Sequence, residues 1–184
     1  MLPLDPLALP LQPVIVALVV VAAVYDYRLR RIPNWLTISG VVAGLSLNLI
    51  LFGLPGLAGA AQALLFGFAV YFVLYLLRAM GAGDVKLMAG VSAIAGPDRW
   101  FTIFVLISLI GGVTALALIL VKGRFRHTFW NVGFIASQLM RFRSPAIGRE
   151  ELDIKNPKAL TLPAGVRIAA GVLAFLLAGA IWPR

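Results

Sequence analysis

Cysteine is absent from the 184 residues, and histidine occurs once, at position 127. No disulfide can form, and no thiolate is available to bind a metal. His127 cannot build a zinc site alone. Acidic residues are scarce, with seven Asp and Glu against sixteen Lys and Arg, and charged residues make up only 12% of the chain. Met1 to Pro13 contains no Lys or Arg and includes Asp5. It lacks the basic start of a secretory signal peptide, so the first apolar run is expected to be retained. What fills the chain instead is apolar: 61% of residues are hydrophobic and the mean hydropathy is +0.99. A soluble domain of this size is excluded by that composition.

Several apolar runs reach the length of about 20 residues needed to cross a bilayer. Reading along the chain, spans are expected at Pro13–Tyr27, Trp35–Phe52, Leu57–Leu77, Asp84–Ala95, Trp100–Val121 and Pro163–Trp182. The breaks between them are marked by Gly53-Leu54-Pro55-Gly56, Gly81-Ala82-Gly83 and Gly96-Pro97-Asp98. Pro33 suits the first turn of the second span, where its missing N–H is not needed. The expected fold is therefore all-α, a polytopic membrane protein of about six transmembrane helices, forming a single membrane-embedded domain over residues 1–184. Residues 122–162 differ from the rest, forming a basic cytoplasmic loop with Lys122, Arg124, Arg126, Arg141, Arg143, Arg149, Lys155 and Lys158. Within it, Phe129–Phe142 is apolar between basic flanks and is expected to be an interfacial helix.

The formal charge of +9 raises the question of nucleic acid. The basic residues lie between apolar runs, however, where cytoplasmic retention and attraction to anionic lipid account for them. No nucleic-acid partner is expected. If the first span runs outside to inside, Arg28, Arg30, Arg31, Arg78, Lys86, Arg167 and the 122–162 group all fall on the cytoplasmic side. Only Arg99 and Arg184 fall outside.

That orientation bears on two acids. Asp26 ends a span entering the cytoplasm, in Tyr25-Asp26-Tyr27-Arg28. Asp84 starts a span leaving it, in Gly81-Ala82-Gly83-Asp84-Val85-Lys86. Ionisable residues near hydrocarbon are costly and mark function by default. Gly81 and Gly83 permit close approach of a neighbouring helix or an extended peptide. Two carboxylates sharing one proton can activate a water and protonate a leaving amine, which is the chemistry of aspartyl proteolysis. The helix dipole favours an anion at Asp84, which makes it the base and Asp26 the acid. The bland alternatives are a juxtamembrane acid paired with nearby arginines for Asp26 and a helix cap for Asp84. For Lys86 the choice lies between holding Asp84 or substrate and contacting lipid phosphate. Asn34 could hydrogen-bond near the site or serve a turn.

Tyr25-Asp26…Arg31-Ile32-Pro33-Asn34 and Gly81-Ala82-Gly83-Asp84-Val85-Lys86-Leu87 resemble the two signatures of the type IV prepilin peptidases, intramembrane aspartyl proteases of the GxGD type. The length resembles the short form associated with tight-adherence (Flp-type) pili. Leu162-Pro163-Ala164-Gly165-Val166-Arg167 resembles the family's weaker third block, with Ala164 and Arg167 in place of the usual tyrosine and alanine. The resemblance implies Asp26 and Asp84 as catalytic residues, with Gly81, Gly83, Lys86, Pro33 and Asn34 in support. It also implies prepilin or pilin-like precursors as substrates, no cofactor and no metal. The setting would be the bacterial inner membrane, with the active site facing the cytoplasm. N-methylation, carried in long members by a cysteine-containing domain, is not expected. A presenilin-like protease and a proton-coupled transporter using the paired acids are the competing readings.

Overall fold

The computed structural model describes residues 7–76, 80–121 and 163–181. The expected loop and interfacial helix of 122–162 lie outside the described residues. Every element among the described residues is a helix: α1 (Leu11–Leu29), α2 (Asn34–Leu76), α3 (Ala82–Ala95), α4 (Pro97–Val121) and α5 (Ala164–Ile181).

Helix α1 starts with Pro13 in its first turn, where a proline is tolerated. It stops at Arg30, which turns left-handed (φ 51°, ψ 31°) and donates its N–H to the Asp26 carbonyl. Pro33 two residues after Arg31 disfavours a continued helix. Helix α2 then begins at Asn34 rather than at proline, and the Pro33 carbonyl accepts from the Thr37 N–H.

The 43 residues of α2 are not one straight rod. Gly53 sits at φ 66° and ψ −155°, a region open essentially to glycine alone. Pro55 follows near the start of the second half, where its missing N–H costs little. The turn expected at residues 53–56 is thus a single-residue kink.

Around α3 the packing is closest. Almost all of it is buried, from Asp84 to Ala95 except Lys86. Small residues line the buried side of α2: Gly40 and Gly44 in the first half, Ala60, Ala63 and Gly67 in the second. A Cβ on Gly44 would lie 2.8 Å from the backbone of Ala93, and one on Gly67 would enter Ser92. In lipid the driving force between helices is this close van der Waals packing, because apolar side chains gain little by leaving hydrocarbon. Asn48, buried in the same stripe, donates to the Gly44 and Ala93 carbonyls at 2.8 and 3.1 Å. It thereby satisfies a carbonyl at the C-terminal end of α3, which would otherwise be buried unpaired.

The other helices wrap around this centre. Helix α5 packs on α1 through Gly165 and on α4 through Gly171, whose Cβ would strike Ile107. Tyr71 meets Phe104 edge-on at 5.6 Å, joining α2 to α4. Outward residues such as Ile38, Val42, Phe101, Leu109 and Leu116 are exposed and apolar, as a lipid-facing surface requires.

Among the described residues, four helices are long and apolar enough to cross a membrane: α1, α2, α4 and α5. At 14 residues, α3 is only about 21 Å long, short of a hydrocarbon core of about 30 Å.

Candidate active site

The C-terminal end of α1 and the first turns of α2, α3 and α5 meet at one end of the bundle. Two contacts fix this. A Cβ on Gly83 would lie 3.3 Å from Ile32 Cβ, so the start of α3 rests on the connection between α1 and α2. Lys86 Nζ donates to Asn34 Oδ1 at 2.9 Å on the exposed rim. Of the two roles open to Lys86, holding Asp84 is not what it does; it ties α3 to the start of α2. Asn34 does this as well as closing its own turn, where its carbonyl accepts from the Thr37 hydroxyl at 3.0 Å. Pro33 supplies the carbonyl that starts α2 and touches neither carboxylate by a hydrogen bond.

Asp26 and Asp84 are both buried, at 8% and 9% exposure, among the few polar residues in the interior. Asp84 is not the N-cap residue of α3, but its side chain helps cap the helix, as the acid of a capping box does. It is the third residue of the helix, and its Oδ2 accepts the Gly81 N–H at 3.1 Å. A Cβ on Gly81 would lie 3.2 Å from that same oxygen, so the glycine admits the carboxylate to its own backbone. The Asp26 carboxylate is held from further away in sequence: its Oδ2 accepts the Gly165 N–H at 2.7 Å. Gly165 lies in the first turn of α5.

This second contact removes the asymmetry expected from the helix ends. Asp26 stands at the C-terminal end of its own helix, yet its carboxylate faces the N-terminal end of α5. Both carboxylates therefore accept a backbone N–H at a helix N-terminus, where an anion is favoured. The assignment of Asp84 as base and Asp26 as acid has no support in this geometry.

The charges of Asp26 and Arg167 both act on Asp84, and those of Arg167 and Asp84 act on Tyr71. The cluster thus contains two acids from α1 and α3, a cation from α5 and a phenol from α2. Two buried acids with a water between them can exchange a proton and polarise a bound carbonyl.

Gly165, Tyr71 and Arg167 were not expected in the cluster. Gly165 is also a packing residue, since its Cβ would lie 2.9 Å from Asp26 Cβ. The signal for Arg167 was present in the sequence as a charge inside an apolar run. Tyr71 offered none beyond its hydroxyl within an apolar stretch.

A helical membrane protein whose small-residue core brings two buried carboxylates to one end of the bundle is the class so defined. The sequence profile of the type IV leader peptidase family matches residues 14–116. That is more than half of the chain, and the protein belongs to this family of peptidases. The matched segment contains Asp26 and Asp84 and stops before α5. Among curated proteins and among solved structures, none matches the chain.

Proposed function

We propose that the protein is a prepilin peptidase that cuts the basic leader from pilin-like precursors, with Asp26 and Asp84 as its catalytic pair. The observation that supports this most is the placement of two buried carboxylates, on helices distant in sequence, within one cluster, each with a glycine N–H donor. In the reaction, the charged member of the pair takes a proton from a water, and the resulting hydroxyl attacks the scissile carbonyl carbon. The neutral member gives its proton to the carbonyl oxygen. Collapse of the tetrahedral diol breaks the C–N bond, and the leaving amine carries away the proton first taken from water. The two backbone donors hold the carboxylates while the charge moves between them. Gly81, Gly83, Lys86, Pro33 and Asn34 act indirectly, by setting how the ends of α1, α2 and α3 meet.

The whole chain forms one membrane domain in this reading. Gly53 divides α2 into two crossings, and α3 crosses as a short, shielded helix, so that six crossings result. A short α3 puts Asp84 below the membrane surface or thins the bilayer around it. Arg28, Arg30, Arg31 and Lys86 lie towards the dyad's end of the bundle, and this positive charge supports a setting at the cytoplasmic face of the inner membrane. Anionic lipid then borders the site. A transporter reading predicts acids near mid-membrane in broken helices, whereas here the break at Gly53 lies in α2, which carries neither acid.

The test is co-expression with a pilin-like precursor, read as a mobility shift on leader removal. Asp26→Asn and Asp84→Asn keep side-chain shape but cannot exchange the catalytic proton, and each is expected to abolish processing at normal membrane abundance. Substantial processing by either variant removes that residue from the mechanism.

A further inference from the structure

Arg167 is a cation set inside the bundle. It lies in the first turn of α5, two residues after Gly165, whose N–H holds Asp26. The other cations described near this end, Arg28, Arg30, Arg31 and Lys86, are exposed. Arg167 is half-buried, and its Nε is buried with no hydrogen-bond partner. A cavity of about 250 Å³ between α2, α4 and α5 gives the side chain its room, with Tyr71, Met80, Ser108, Gly111 and Ala164 on its border. A Cβ on Gly111 would lie 3.5 Å from Arg167 Nη1, so a residue larger than alanine there would press on the guanidinium. Met80 precedes Gly81, whose N–H binds Asp84, and Ala164 precedes Gly165. The guanidinium therefore stands beside the two turns that hold the carboxylates. Ala164 and Arg167 are also the two departures from the usual third block, and both line this one cavity. The small residue leaves room and the arginine takes it.

Two neighbouring buried carboxylates do not both ionise easily, yet aspartyl proteolysis needs one of them charged. A lone charge in a low-dielectric interior is itself costly. A guanidinium stays protonated at any working pH, and the charge of Arg167 acts on Asp84. Among the described residues no ion pair joins it to Asp26 or Asp84. A direct pair would tie up a carboxylate oxygen that must meet water, whereas a cation held at a short distance supports the charge and leaves the oxygen free. The titratable groups of the cluster are Asp26 on α1, Tyr71 on α2 and Asp84 on α3, and α4 adds none to the cavity wall.

We propose that Arg167 is a positioning residue for the dyad: its charge, held in the cavity, balances the one negative charge that the two aspartates share and keeps one of them ionised for catalysis. The inference rests on the peptidase reading above and adds to it the group that sets the dyad's working charge. Arg167 touches neither the scissile bond nor the water in this role, and the glycine at 111 gives its side chain space.

The experiment uses the full chain in phosphatidylcholine nanodiscs and two readouts over a pH series. One is cleavage of a purified pilin-like precursor. The other is infrared titration of the carboxylic-acid C=O band, the dyad's share being the part lost when both aspartates are replaced by asparagine. Arg167→Met and Arg167→Gln remove the charge in two different shapes. Without the cation a higher pH is needed to form the charged dyad, so the acidic limb of both readouts should move up by about one pH unit. On that limb kcat should fall about tenfold while KM changes less than about twofold. Arg167→Lys, which keeps the charge, should return the limb most of the way, and Arg28→Met, which removes an exposed cation, should move it much less. Loss of folded protein lowers the height of a limb but does not displace it. A limb that stays in place with Arg167→Met and Arg167→Gln overturns the proposal, as does a shift that Arg167→Lys shares in full. An equal shift with Arg28→Met assigns the effect to surface charge and overturns it too. If cleavage needs both aspartates while neither readout moves, the counter-charge fails and the dyad stands. If the infrared titration follows the charge at position 167 while no precursor is cleaved, the charge role stands and the peptidase reading fails.

Discussion

Replacing Gly165 by alanine is the sharpest test of how the fold holds Asp26. The added Cβ would lie 2.9 Å from Asp26 Cβ and 3.2 Å from both the Ala22 carbonyl oxygen and Asp26 Oδ2. Carbon atoms in ordinary contact stand about 3.5–4.0 Å apart, so α5 and α1 must separate by roughly 0.6–1 Å. None of these neighbours is the loose end of a long side chain; two belong to Asp26 itself and one is backbone. The 2.7 Å bond from Gly165 N–H to the carboxylate would then stretch past about 3.2 Å, the limit of a good N–H···O bond. Overpacking of this kind costs about 1–3 kcal/mol, and alanine returns about 1 kcal/mol through its better helix propensity. The net destabilisation is therefore small, about 0–2 kcal/mol. The effect on catalysis should be much larger, because a displacement near 1 Å in a catalytic group can cost about 100-fold in rate. Leader cleavage by purified protein, measured alongside a thermal unfolding curve in the same detergent, separates the two. Gly90→Ala is the control: its new Cβ would meet its neighbours at an ordinary 3.5 Å, so stability should rise by up to about 1 kcal/mol with cleavage unchanged. A Gly165→Ala protein that cleaves at the full rate would refute the claim that this contact positions Asp26.

Three further outcomes are expected. Asn48→Leu removes the buried donor shared by the Gly44 and Ala93 carbonyls and should cost about 1–3 kcal/mol in thermal unfolding, with the rate per folded molecule retained. Lys86→Met and Asn34→Ala break an exposed bond, so a double-mutant cycle on stability should give a coupling below about 1 kcal/mol; a larger value would mean the pair is shielded in the membrane. Because the chain has no cysteine, Asp26→Cys with Asp84→Cys creates a unique thiol pair. A short bifunctional reagent should cross-link it, more efficiently with a leader peptide bound, and no cross-link under any condition would place the two positions apart.

The helices were legible in the sequence because bilayer solubility depends on local composition. Runs of Val, Leu, Ile and Ala announce themselves within a window of twenty residues, and Gly53, Pro55, Gly96 and Pro97 interrupt them through their own backbone restrictions. The spacing of Arg28, Arg30, Arg31 and Lys86 also told which helix ends share a side, since charge avoids hydrocarbon wherever it occurs. The sequence could also propose two aspartates as partners once that common side was known. What it could not supply was contact. Asp26 meets Gly165 across 139 positions and Lys86 meets Asn34 across 52, and no local preference encodes either. Only the packing of α5 on α1 brings a helix N-terminus to Asp26 and makes the two carboxylates alike in their surroundings. The same packing turns Arg167 from a charge in an apolar run into the wall of a cavity, because only in three dimensions do α2, α4 and α5 leave a space between them.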